Sequence, residues 1–335
     1  MSENQVRVVL LGCGRMAKEH VQIMLQQQAT TRIVVVSEPS DAAYQSLKAI
    51  YEGAGLPPPP NQPDLSALLR EYAGQLDVAF IVTPHVYHFE QAKACLEAGL
   101  DVLLEKPMVV TAEQARELIA LRDRTGRLMV IAFNGSLSAQ VRHAAALLRS
   151  GELGKVLTIS ATVWEGWATK YAGHWKQNLP ISGGGFFFDT GAHMMNTVAD
   201  IAGEDFAQIG AWLDNLDSPV DVVGVVMGRL QSGALVTMNA CGASQHSLGS
   251  DIKVFCTNGI IRLGVWGDFY ELKRPGEAEL SPVTLPATPG VWEQFLAVRG
   301  GQLANPSPPE IGLRMAKIWD AIQLSSAQRG AVVKL

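Results

Sequence analysis

The sequence is poor in the residues that would commit it to metal, disulfide or membrane chemistry. Four cysteines occur in 335 residues, Cys13, Cys95, Cys241 and Cys256, and none forms a CxxC pair, which argues against a zinc site or a disulfide framework. Reduced, buried thiols are expected, with no metal. No apolar run approaches the ~18 residues that suggest a spanning helix. The opening "MSENQVRVVLLGCG" reaches a glycine turn without a basic leader or a small-residue cleavage site. A cytoplasmic protein without membrane contact is the expectation. Long basic runs are also missing, and a formal charge of −5 with mixed signs leaves no footprint for nucleic acid. Small molecules are the expected partners. What is present is 47% apolar and 18% charged residues, the balance of a chain that folds throughout. Its length suggests about two domains.

Over the first 130 or so residues, short β-branched runs alternate with helical patterns. "VRVVLLG", "RIVVVSE", "LDVAFIVTP", "DVLLEKP" and "RLMVIAF" read as buried parallel strands. Met16–Gln27, Val86–Ala98 and Ala112–Arg124 read as the helices between them, the last with Thr111 as N-cap and Gln114 at the capping-box position. This is a βαβ series, the signature of a doubly wound parallel sheet. "GLPPPPNQP" falls inside the series and reads as a stiff loop between helices. From about Asn134 the texture changes to alternating stretches broken by turns such as "QSG" and "TNG", which predicts a mainly antiparallel α+β domain. The expected division is 1–133 and 134–335.

"VVLLGCGRMAKEH" sets Gly12, Gly14 and Ala17 in a GxGxxA pattern between the first strand and a helix, with Arg15 and Met16 inside the turn. There a glycine allows the tight turn and the helix N-terminus meets a pyrophosphate. Glu38 ends the second strand, where a carboxylate accepts hydrogen bonds from ribose hydroxyls and repels a 2′-phosphate, so NAD is expected over NADP. "IVTPHVYH" brings Thr83, Pro84, His85 and His88 to the end of another strand, and "LLEKPM" brings Glu105 and Lys106 to the end of the next. Ligands of such sheets bind outside these strand ends. Further on, "SGGGFFFDTGAHMMN" runs three glycines into Asp189 and His193, one helical turn apart. The glycines read as room for something to approach the backbone, and Phe186–Phe188 as core.

GxGxxA, TP, EKP and then GGG with DxGxH, in this order over nearly the whole chain, resemble the Gfo/Idh/MocA family of oxidoreductases. The resemblance implies a Rossmann domain followed by a domain with an open, largely antiparallel sheet. It also implies a catalytic set of Lys106, Asp189 and His193. By that resemblance the substrate is a sugar, inositol or related polyol. His193 would take a hydroxyl proton while Lys106 stabilises the reacting oxygen. Redox-assisted elimination or glycoside cleavage, and a non-catalytic sensor on the same fold, stay open as alternatives. Trp164, Trp167, Tyr171, Trp175, Lys176 and Thr190, with Gln245 and His246 on a later loop, are candidate substrate contacts, since aromatic walls with a few polar groups suit a polyhydroxylated ligand. His85, Ser136, Lys176 and Asn196 depart from residues frequent in the family: asparagine, arginine, arginine and aspartate. Apolar outward residues in "VVGVVMG" predict a homodimer or homotetramer through the second domain's sheet.

Overall fold

The computed structural model describes residues 5–245 and 249–335. In the first unit β1 (Val6–Leu11), α1 (Arg15–Met24), β2 (Thr31–Ser37), α2 (Asp41–Gly53), α3 (Leu65–Glu71) and β3 (Val78–Ile81) are followed by α4 (His88–Glu97), β4 (Asp101–Glu105), α5 (Ala112–Thr125) and β5 (Met129–Ala132). The five strands are parallel in the order β2-β1-β3-β4-β5. Strand order reverses between β1 and β3, and that switch opens a crevice at the carboxyl ends. Helices cover both faces, so β3 and β5 are buried at every residue.

Helix starts in this unit are of two kinds. Ser40, Asp64 and Thr111 cap α2, α3 and α5 with their side chains. Gln114 does not complete the expected capping box, because its Oε1 accepts from Val110 N instead. Helix α1 begins at Gly14 with no side-chain cap, which leaves its first amides to an anion. The proline loop runs beside β2, where Asn61 Oδ1 accepts from Glu38 N and its Nδ2 donates to Glu38 O. It therefore fixes the backbone of Glu38.

The second unit opens with α6 (Asn134–Leu137), α7 (Ala139–Ser150), β6 (Val156–Trp164), α8 (Trp167–Lys170), α9 (Leu179–Ser182), α10 (Phe186–Asp189) and α11 (Gly191–Ala202). Strands β7 (Phe206–Asp214), β8 (Val223–Leu230), β9 (Leu235–Cys241), β10 (Asp251–Cys256), β11 (Ile260–Gly264), β12 (Tyr270–Lys273) and β13 (Ser281–Pro282) follow, and the chain ends with α12 (Val291–Arg299), α13 (Pro309–Ala327) and β14 (Val333–Lys334). The sheet order is β13-β12-β11-β10-β6-β9-β8-β7-β14, antiparallel except for the β6–β9 pair. On β6, Ile159, Ala161 and Val163 turn into the core. The opposite face carries Trp212 and Met227, each 50% exposed.

Near Asn134 the chain passes from β5 into α6. The later chain nevertheless returns to the first unit. Trp292 stacks on Phe80 and donates Nε1 to Thr31 Oγ1 at 2.8 Å, while Ile131 N donates to Ser307 O at 2.9 Å.

Candidate active site

A cavity of about 550 Å³ follows the carboxyl ends of the parallel strands. Gly12, Gly14, Arg15, Met16, Glu38, Thr83, Pro84, His85, Glu105 and Lys106 are among the residues that line it from the first unit. Gly12 adopts φ +90°, and a Cβ there would lie 2.6 Å from Val82 O. Gly14 has no heavy atom within 4 Å of its would-be Cβ and so keeps the cavity open. Glu38 Oε2 accepts from Cys13 N at 2.7 Å and Oε1 from Ser40 N at 2.8 Å, which aims the carboxylate at the cavity wall. Each oxygen keeps a lone pair for a hydroxyl donor. Arg15 is engaged with Glu19 Oε1 at 2.6 Å. These residues fit an NAD adenosine and pyrophosphate.

Asp189 is the hub of the reacting end. It is 1% exposed, and its Oδ2 accepts from Lys176 Nζ at 2.6 Å and from Trp167 Nε1 at 2.8 Å. Lys106 Nζ donates to Asp189 O at 2.9 Å and to Oδ1 at 3.3 Å, and His85 Nε2 lies 3.6 Å from Oδ1. Burial alone would push the carboxyl up, but the charges of Lys106 and Lys176 hold it well below its usual value. His193 is 8% exposed, between Phe133 and Trp266 at ring separations of 6.4 and 5.7 Å. Its buried Nδ1 has no hydrogen-bond partner. Burial and the Lys106 charge press this imidazole well below the ordinary histidine value, so it stays neutral and able to take a proton.

The three glycines serve the protein and not a ligand, contrary to the sequence expectation. A Cβ on Gly183 would lie 2.8 Å from Val110, one on Gly184 2.4 Å from Phe188, and one on Gly185 2.1 Å from Asp221 O. Asp221 accepts from Gly185 N at 2.8 Å and Phe187 N at 2.9 Å. It thereby pins the turn that delivers Asp189. Phe186–Phe188 are fully buried, as expected.

Several expected contacts fall elsewhere. His88 is completely buried and does not reach the cavity; its Nδ1 lies 2.8 Å from Pro107 O and its Nε2 2.9 Å from Thr83 O, so it ties two strand ends together from beneath. Trp164 alternates with core residues on β6 and therefore lies on the face away from the helices, outside the cavity. Thr190, Trp167 and His193 are buried and do not line the cavity either. Trp175 and Lys176 do line it, with Tyr171. His246 lies outside the described residues. Sequence reasoning missed Tyr87 and Gln91, which line the cavity, and His20, Asp221 and Trp266, whose partners Glu105, Gly185 and His193 lie far along the chain. The four departures from the family pattern resolve into two clusters. Asn196 Nδ2 donates to Ser136 Oγ at 2.8 Å, and His85 and Lys176 share Asp189.

Fold and site together define a dinucleotide-dependent oxidoreductase. Residues 6–133 match the oxidoreductase family with an NAD-binding Rossmann fold, and residues 141–262 match the GFO/IDH/MocA C-terminal domain. The chain belongs to this family, and its first unit is the family's NAD-binding domain. It is 26% identical over 331 residues to the dTDP-3,4-didehydro-2,6-dideoxy-alpha-D-glucose 3-reductase of Actinomadura kijaniata, covering 96% of this chain and 95% of that protein. It is 26% identical over 209 residues to the D-glucoside 3-dehydrogenase of Escherichia coli K12, covering 61% of this chain and 56% of that one. With the inositol 2-dehydrogenase of Rhodococcus erythropolis it shares 29% over 161 residues, 48% and 44% of the two chains. The chain thus spans about half the length of several curated relatives. An inositol dehydrogenase homolog from Azotobacter vinelandii, solved with NAD+, has the same fold at a TM-score of 0.84, with 17% identity over 99% of this chain and 98% of that one.

Proposed function

We propose that the protein is an NAD-dependent dehydrogenase that oxidises a secondary alcohol of a sugar, inositol or related polyol. The observation that carries this reading is the meeting of Lys106 and Lys176 on the Asp189 carboxylate in the wall of the cofactor cavity, with a buried, neutral His193 one helical turn further along, in the field of those charges. An ammonium has three N–H donors, and Lys106 directs two at Asp189, so one is left for the reacting oxygen. His193 takes the hydroxyl proton as the carbon-bound hydrogen leaves with its electron pair. NAD+, when bound, supplies the acceptor for that hydride. Asp189 acts by orienting the two lysines. The names of the glucoside and inositol dehydrogenases among the relatives support the substrate class.

Glu38 on the cavity wall favours NAD over NADP. Among the described residues no helix is long and apolar enough to cross a membrane. The proposed location is the cytoplasm, where an NAD-dependent reaction finds its cofactor. The apolar open face around Trp212, Val225 and Met227 supports a homodimer or homotetramer. Light scattering at micromolar concentration checks that, with a monomer mass refuting it. For the reaction, a panel of sugars, inositols and sugar nucleotides incubated with NAD+ is expected to give NADH absorbance with at least one polyol. NADH binding without turnover on any of them would favour a sensor.

A further inference from the structure

The dehydrogenase mechanism leaves one cavity-lining carboxylate unused. Glu105 ends β4 directly before Lys106, and its side chain is 12% exposed. Both of its oxygens are held: Oε1 lies 2.7 Å from His20 Nε2, and Oε2 accepts from Lys106 N at 3.2 Å. His20 comes from α1, the helix that meets the pyrophosphate, and its ring packs on Phe80 at 4.8 Å. A buried carboxylate ordinarily escapes desolvation by taking up a proton. Burial does push Glu105 up, but the His20 hydrogen bond, the Lys106 charge and the Lys106 backbone N–H outweigh it, and the net direction is down. The cavity therefore keeps a fixed negative charge beside the reacting lysine.

The groups nearby show what that charge answers. A polyol is neutral, and Lys106, Lys176 and Asp189 together leave one excess positive charge. The nicotinamide ring is cationic before hydride transfer and neutral after it. To accept hydride, the ring must touch the carbon whose oxygen Lys106 holds, so it lies within the field of both the lysine cluster and Glu105. Without compensation, the lysines would favour the neutral reduced ring. We propose that Glu105, clamped by His20, offsets this excess and biases the site toward the oxidised cofactor. The bias would favour loading of NAD+ over retention of NADH while making bound NAD+ the weaker hydride acceptor, and it rests on the dehydrogenase reading above. In a half-buried site a unit charge several ångströms away is worth about a tenfold change in affinity.

The test is a pair of titrations without substrate, NAD+ by calorimetry and NADH by fluorescence, on wild type, Glu105→Gln and His20→Gln. Glu105→Gln is expected to lower the ratio of NAD+ to NADH affinity by about tenfold, mainly by weakening NAD+. His20→Gln keeps a donor near Oε1 and the carboxylate charge, so the ratio should hold or rise. An unmoved ratio in Glu105→Gln overturns the proposal. So does an equal fall in His20→Gln, because the corner's geometry and not its charge would then be responsible. The double variant, a neutral hydrogen-bonding pair, gives the same reading if Glu105→Gln alone does not fold. Wild type binding neither cofactor would defeat the dehydrogenase reading itself, whereas binding both with an unmoved ratio defeats only this inference.

Discussion

The two glycine-rich segments, Gly12–Gly14 and Gly183–Gly185, look alike in sequence but differ in what one glycine faces. At the first, Gly12 is driven against Val82 O by a positive φ, while Gly14 faces open space. One glycine of this turn packs on protein and the other leaves room for a ligand. At the second, every missing Cβ would strike protein, and Gly185 meets backbone of Asp221 on two sides. That turn is shaped around Asp221, in the loop before β8, and holds Asp189 at the end of a packed aromatic run. Glycine content thus reports close approach without saying what approaches. Only the partner distinguishes a binding loop from a keystone.

If the contrast is right, chemistry and cofactor affinity separate cleanly. The largest effect is expected from residues that the second segment and β4 deliver. His193→Ala and Lys106→Ala should cut turnover by roughly 10²–10⁴ with NADH affinity nearly unchanged, read by single-turnover kinetics and fluorescence titration on the same samples. A folded His193→Ala with near-normal turnover would mean that the base is another group.

Next come the glycines themselves. Gly185→Ala forces a Cβ to within 2.1 Å of Asp221 O, backbone that cannot step aside, and should destabilise the fold by about 2–4 kcal/mol in denaturant melts. Gly14→Ala meets nothing in the protein, so its melting temperature should barely move while NADH binding weakens by about tenfold through contact with the pyrophosphate. Reversed results would collapse the comparison. Smaller still, Glu38→Ser should narrow the gap between NADH and NADPH affinities by several-fold through loss of carboxylate repulsion. NADPH binding as tight as NADH in wild type would refute the assigned preference.

Much of the first segment was legible because its signals are local. Strand, glycine turn and helix follow one another within a few residues, and Glu38 sits at the end of the next strand. The second segment was legible only in part. Asp189 and His193 stand four residues apart in plain view, but Asp221 lies 36 residues from Gly185 and His20 lies 85 from Glu105, and such pairings leave no periodic trace. Trp164 was misplaced for a different reason. The alternation of Ile159, Ala161 and Val163 was visible and assigns the tryptophan to the other face, once those three are known to be the buried set. His88 sits at the correct strand end but turns under it, because carbonyls of Thr83 and Pro107 occupy both ring nitrogens.

The smallest effect separates the two regions by pH. A base at the ordinary histidine value of about 6.5 would lose half its activity there and about nine-tenths one unit lower. His193 is held well below that value by burial and by Lys106, so turnover should persist with less than a tenfold fall to about pH 5.5. Stability is tied to pH by the same depression at three buried histidines, His85, His88 and His193. His85, buried between Ser182 O and Asp189, is pushed down to about 3, chiefly by burial. Its unfolded form binds a proton near pH 6.5 while the folded form does not, so stability is full above that pH and is withdrawn as pH falls from about 6.5 toward 3. Activity should therefore fail at low pH through unfolding around the second segment and not through protonation of the base. Parallel pH series of turnover and melting temperature test this order. An acid limb in turnover near 6.5, with the melting temperature unchanged, would show His193 titrating as an ordinary exposed imidazole, and Lys106 would then have no part in keeping the base neutral.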